Sequence, residues 1–170
     1  MLQTLNRFTG TALVLVLTAT TATAQIPCVD GNAEGYPCQN IDLMGYLSSD
    51  EVGGGDMNDI WGWIDPSDGT EYAILGRSTG TSFIDISDPA NPVMVANLPT
   101  NTVTSFWRDI KVHDNHAFIV SEASGHGMQV VDLTQLGSIE NPPQDIEADA
   151  LYTGWGLSLI HISEPTRPSS

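Results

Sequence analysis

The stretch Thr81-Ser-Phe-Ile-Asp-Ile86, followed by Ser87-Asp-Pro-Ala-Asn-Pro92 and Val93-Met-Val-Ala-Asn-Leu98, decides the fold. Two short apolar runs flank a segment whose Asp, Asn and Pro favour a turn, so it reads as strand, turn, strand. Working outward, Asp59-Ile-Trp-Gly-Trp-Ile64 is a β-rich run leading to the turn Asp65-Pro-Ser-Asp-Gly69, and Glu71-Tyr-Ala-Ile-Leu75 leads to a Gly-Arg-Ser-Thr-Gly loop. The same order then returns. Asp109-Ile-Lys-Val112 precedes the turn His113-Asp-Asn115, His116-Ala-Phe-Ile-Val120 follows, and a Ser-Glu-Ala-Ser-Gly-His-Gly loop leads to Met128-Gln-Val-Val-Asp-Leu133.

Three anchor pairs measure the repeat: Asp59 to Asp109 spans 50 positions, Ile74 to Ile119 spans 45, and Asp85 to Asp132 spans 47. A unit of that length made of short strands fits one blade of a β-propeller. A helical solenoid would place apolar residues at three-and-four spacing, which these segments lack. The expected fold is therefore all-β: an incomplete propeller of two to three four-stranded blades over residues 56–156. Gly53-Gly-Gly55 reads as a flexible hinge before it, closing a linker segment over residues 25–55.

Composition supports a globular, turn-rich chain and excludes some partners. Of 170 residues, 41% are hydrophobic and only 15% charged, with 16 Gly and 10 Pro, which fits neither a disordered polyampholyte nor a coiled coil. Twenty-one acidic against five basic side chains give a formal charge of −16. No nucleic-acid partner is expected, because phosphate recognition needs clustered Lys and Arg. The surface must be anionic, which favours solubility and opposes anionic membranes.

The two ends read differently from the core. Met1 to Ala24 has Arg7 ahead of an apolar run ending at Leu17 and closes on Ala22-Thr-Ala24, so it reads as a secretory signal cleaved after Ala24. A membrane anchor needs about 18 consecutive apolar residues, and Thr and Gly interrupt this shorter run. No membrane span is expected after cleavage. Residues 157–170, beginning Leu157-Ser-Leu-Ile-His-Ile-Ser-Glu-Pro-Thr-Arg167, resemble the translation of a sequencing-library adapter and are expected to be foreign to the protein. Cys28 and Cys38 are the only cysteines. In an oxidising compartment such a pair reads as one disulfide closing a small loop. A zinc site would need further ligands, and no His stands close in sequence.

At these motifs a family comes into view. Phe83-Ile-Asp-Ile-Ser-Asp-Pro-Ala-Asn-Pro92 and Val130-Val-Asp-Leu-Thr134 resemble the LVIVD repeat, a hydrophobic strand ending in Asp before a turn. The wider run, from Cys28 through Tyr36-Pro-Cys38, Asn58-Asp-Ile-Trp-Gly-Trp63, Phe106-Trp-Arg-Asp-Ile110 and His116-Ala-Phe-Ile-Val-Ser-Glu122 to Gly125-His-Gly-Met-Gln-Val130, is similar to the N-terminal part of the choice-of-anchor B family. The resemblance implies a β-propeller displayed outside the cell, secreted or held at its surface, with no biochemical activity assigned.

Candidate site residues are few. Asp85 and Asp132 stand near strand ends, where a carboxylate can accept N–H bonds from the following turn. That structural role is preferred to metal binding or catalysis. His126, between Gly125 and Gly127, is the best ligand or acid–base candidate because glycines permit close approach, though as a loop residue it also reads as plainly exposed. Arg108 is expected to pair with an acidic neighbour. Trp61, Trp63, Trp107 and Trp155 read as core or blade-interface packing. Ser121 or Ser124 with His126 and Asp132 could be drawn as a hydrolytic triad, but no Gly-x-Ser-x-Gly elbow supports it.

No cofactor is expected, with calcium at Asp65-Pro-Ser-Asp-Gly-Thr-Glu71 the one ion to weigh. Pro66 interrupts the ligand alternation a calcium loop requires, and a hairpin turn accounts for Asp68-Gly69. The sequence thus points to an exported module that binds an extracellular ligand or surface protein, the alternative being part of a secreted hydrolase with its active site in the propeller channel.

Overall fold

The computed structural model describes residues 25–153, and within them the chain is almost entirely β. The expected signal, the terminal tail and Trp155 lie outside the described residues. A small hairpin, β1 (Asn32–Ala33) and β2 (Tyr36–Pro37), opens the chain, and the Cys28–Cys38 disulfide closes around it.

Two larger sheets follow. The first is built on β3 (Met57–Ile64), β4 (Glu71–Arg77), β5 (Gly80–Asp85) and β6 (Val93–Pro99), each antiparallel to the next. The second comprises β7 (Arg108–His113), β8 (His116–Ser121), β9 (Met128–Asp132) and, after a 3-10 turn over Leu133–Ser138, β11 (Ala150–Tyr152). Between them the chain reaches back and lays β10 (Gln144–Asp145) parallel to β6 as a fifth strand on the first sheet. That edge strand is not part of the meander repeat and straps the two units together.

Side-chain alternation explains the stacking. Trp63, Tyr72, Ile74, Phe83, Ala96 and Leu98 of the first sheet join Ile110, Ala117, Ile119 and Val131 of the second in one buried cluster, closed by Leu133 and Leu136 from the 3-10 turn. β3 and β7 lie side by side, and Asp59 Oδ2 accepts the Ile110 N–H at 2.8 Å across the joint. The two sheets are consecutive blades of an incomplete propeller.

The pairing corrects one of the three repeat anchors. Tyr72 faces Asp85 across its pair as His116 faces Asp132, so the counterpart of Ile74 is Phe118, not Ile119. A slip of one residue in a strand puts a side chain on the opposite face. The spacing misleads because the connections differ: Asp65–Thr70 joins β3 to β4, whereas Asp114 and Asn115, with φ of 47° and 59°, join β7 to β8 in a two-residue turn.

The glycine run expected to be a hinge is a packed turn. Val52 is buried and its carbonyl accepts from Ser82 Oγ at 2.6 Å; the Gly53 and Gly54 carbonyls accept from Arg77 Nη1 at 2.6 and 3.0 Å. Gly53 has φ +96°, and a Cβ there would meet the Arg77 guanidinium at 2.8 Å. The segment before β3 is therefore fastened to the outer face of the first sheet.

Candidate functional site

The aspartates at the strand ends do what a short-range reading expects. Asp85 Oδ1 accepts the Ser87 N–H at 2.9 Å, and Asp132 Oδ1 accepts the Thr134 N–H at 2.9 Å and its hydroxyl at 2.7 Å. The Thr134 bonds hold the Asp132 carboxyl below the usual carboxylate range. In the acidic turn, Asp65 Oδ1 accepts from Ser67 N at 2.8 Å and Asp68 Oδ1 from Thr70 N at 2.9 Å. Among the described residues no group of three or more His, Cys, Asp or Glu is placed to hold a metal ion. These carboxylates cap turns at one end of the sheets.

The opposite end gathers the cations. Arg77, at the end of β4, is 1% exposed; besides the two glycine carbonyls it donates to Thr79 Oγ1 at 2.8 Å and to Asn97 Oδ1. Asn97 in turn donates to Asp145 Oδ1 at 2.7 Å on β10. Arg108, at the start of β7 and also buried, donates through Nε to the Arg77 carbonyl at 2.8 Å. It does not pair with an acid as expected. Its strand position turns the side chain inward, where carbonyl and imidazole acceptors meet it.

That imidazole is His126. It is fully buried, which overturns the reading of an exposed loop residue. Its Nδ1 lies 3.0 Å from the Gly127 carbonyl, which can only accept, so Nδ1 carries the proton and Nε2 offers a lone pair to Arg108 Nη1 at 3.1 Å. Burial lowers the His126 pKa and the neighbouring guanidinium lowers it further. Burial likewise brings Arg108 down to about 10, with the Arg77 charge adding to the shift. The flanking glycines are used as expected: Gly127 has φ +72°, and a Cβ there would lie 2.2 Å from the Tyr152 carbonyl on β11.

Over this cluster the β6–β7 loop carries the exposed aromatic side chains Phe106 and Trp107, whose rings meet edge to face at 5.0 Å. Of the tryptophans expected in the core, Trp63 is buried, whereas Trp107 is 54% exposed and Trp61 sits at the surface beneath Lys111 Nζ, 4.6 Å from its centroid. The loop's backbone is pinned: the Phe106 carbonyl accepts from Asn58 Nδ2 at 2.5 Å, the Trp107 carbonyl from Glu122 N at 3.3 Å, and Asn101 Nδ2 donates to the His126 carbonyl at 2.9 Å. Local sequence gave no signal for the burial of Arg77 or for this bracing, since every partner comes from another strand or loop.

The LVIVD repeat family matches residues 72–100. The matched segment is β4, β5 and β6, including the Asp85 turn, so the chain carries an LVIVD repeat within its first blade. No curated protein and no solved structure matches it.

Proposed function

We propose that the chain is an exported propeller module of the choice-of-anchor B kind, secreted or held at the cell surface, which binds an extracellular ligand or surface protein, with no catalytic activity assigned to it. The observation that carries this reading is the way the loop end is built. Its histidine is consumed inside the fold: His126 is sealed, its two nitrogens already occupied by Gly127 and Arg108. Facing solvent beside it is a pair of aromatic rings on a pinned loop. Rigid exposed aromatics are the side chains that anchor recognition surfaces at low entropic cost.

Export accords with the disulfide, which suits an oxidising compartment. The described residues contain no helix long and apolar enough to cross a membrane. This reading invokes no resident cofactor, and it assigns the acidic side chains at the turns to the backbone N–H groups they accept.

The test compares the wild-type chain with Trp107→Ala in surface-ligand capture and with His126→Ala on a hydrolase panel. Capture that depends on Trp107, with no turnover, supports the binding module. Turnover that His126→Ala abolishes while the fold is retained favours the hydrolase instead. Recovery of a mature chain beginning at Gln25 from outside the cell tests export, and retention of the uncleaved chain in the cytoplasm contradicts it.

A further inference from the structure

Three buried side chains at the loop end complete one another's hydrogen bonding in one protonation state and leave it unfinished in the other. Arg108 Nη1 donates to His126 Nε2 at 3.1 Å, while Arg108 Nη2 is buried without an acceptor. Gln129, on β9 and 5% exposed, donates through Nε2 to the Pro99 carbonyl at 3.1 Å, yet its Oε1 is buried without a donor. The Gln129 amide stands beside the imidazole, where its oxygen favours the protonated ring. An acceptor buried without a donor is costly, and a proton on His126 Nε2 would supply one.

The same proton breaks the bond to Arg108. Nδ1 already donates to the Gly127 carbonyl, so a protonated Nε2 has no lone pair left for the guanidinium and sets a second positive charge against it. Arg108 then keeps only the bond from its Nε to the Arg77 carbonyl. The charges acting at this place are positive: Arg108 from β7 and, behind it, Arg77 from the end of β4. The β6–β7 loop approaches His126 with Asn101, β9 with Gln129, and β11 with the Tyr152 carbonyl beside Gly127, all uncharged. The nearest carboxylate along the chain, Glu122, is exposed.

The contacts lead into the β6–β7 loop. Gln129 holds its start at Pro99, the His126 carbonyl holds Asn101, and Arg108 directly follows Trp107.

We propose that His126 and Gln129 form an acid-operated switch: a proton on Nε2 moves the imidazole's bond from Arg108 to Gln129 Oε1, displaces the Arg108 guanidinium and loosens the β6–β7 loop that carries Phe106 and Trp107. The loosening stands on the contacts of the ring alone. Its effect on capture, a weaker hold on the ligand at acidic pH, rests on the proposed recognition role of that loop, so the test reads the loosening itself.

Nitrogen-15 spectra of the histidine rings and amide protection factors of the full chain, followed from mildly alkaline to acidic pH, test this, with the His126 signal assigned by its loss in His126→Gln. The expected result is that His126 titrates below the ordinary histidine value. Protection of the Ser105 amide, bonded to the Ser78 carbonyl, and of the Glu122 amide, bonded to the Trp107 carbonyl, falls roughly tenfold with the same midpoint, while the amides of β4 and β5 keep theirs. Gln129→Met weakens proton binding at His126 roughly tenfold by removing the waiting acceptor; Gln129→Glu strengthens it and serves if the first variant unfolds. Arg108→Met raises the midpoint and uncouples the loop from it. A His126 that stays neutral down to the pH at which the whole chain unfolds overturns the proposal. So does a titration that leaves the protection of Ser105 and Glu122 unchanged, or a midpoint that is the same in wild type and in a folded Gln129 variant.

Discussion

Arg108 Nη1 donates to Nε2 of His126 across 3.1 Å, a guanidinium and a neutral imidazole both shut away from solvent. The bond joins the start of β7 to the β8–β9 loop and survives only while the imidazole keeps its lone pair.

That relationship sets a pH dependence. Burial and Arg108 lower the folded-state pKa of His126 below its ordinary value near 6.5. Above that value the residue is neutral in both states and costs nothing. As pH falls below it, the unfolded chain takes up a proton that the folded chain refuses, so stability declines until the folded pKa is reached. The thermal midpoint should therefore drop between mildly alkaline and mildly acidic pH, and His126→Gln should remove most of the drop. An unchanged slope in a folded His126→Gln variant would contradict the sealed, neutral imidazole.

Arg77→Ala should destabilise the chain by about 3 kcal/mol, since it strips the Gly53, Gly54 and Asn97 oxygens of their shared donor. The loss should be local in character. Amide exchange should accelerate across residues 48–55 more than within β8 and β9, and uniform acceleration would argue against a latch.

The two glycines around His126 should respond unequally. Both have positive φ, so Ala costs about 1–2 kcal/mol at either. A Cβ at Gly125 meets open space, whereas one at Gly127 collides with the Tyr152 carbonyl. Gly127→Ala should therefore lower the urea midpoint further and expose the β9–β11 amides. Equal effects would show that the strand does not approach there.

Cys28→Ser with Cys38→Ser should free the β1–β2 hairpin, which the disulfide encloses and which pairs with neither large sheet. A closed loop of this size is worth ~2–3 kcal/mol by the chain-entropy account. Exchange should rise over residues 26–43 while the protection of β4 and β8 persists. Loss of both sheets on removing the disulfide would contradict that division.

The sequence made the local features plain and the long-range ones obscure. Thr81 to Leu98 is legible because its alternation and turn residues act within a few positions, and the Asp85 and Asp132 turns close two residues away. The register of β8 was not legible, because a two-residue turn replaces a six-residue one and shifts every later spacing. Arg108 and His126 were singled out, yet their burial and mutual contact depend on the packing of separate loops. β10 is still less visible: two residues joining β6 in parallel leave no periodic mark.

The most direct test of the account is a nuclear Overhauser contact between the Gly76 α-protons and the Ile110 δ1 methyl in the folded chain. A Cβ at Gly76 would lie 3.4 Å from that methyl carbon, at the joint where the two sheets meet. The account predicts a strong cross-peak, together with a protected Trp63 indole N–H held by Asn115 Oδ1. A folded chain lacking both signals would contradict the stacking of the sheets as consecutive blades.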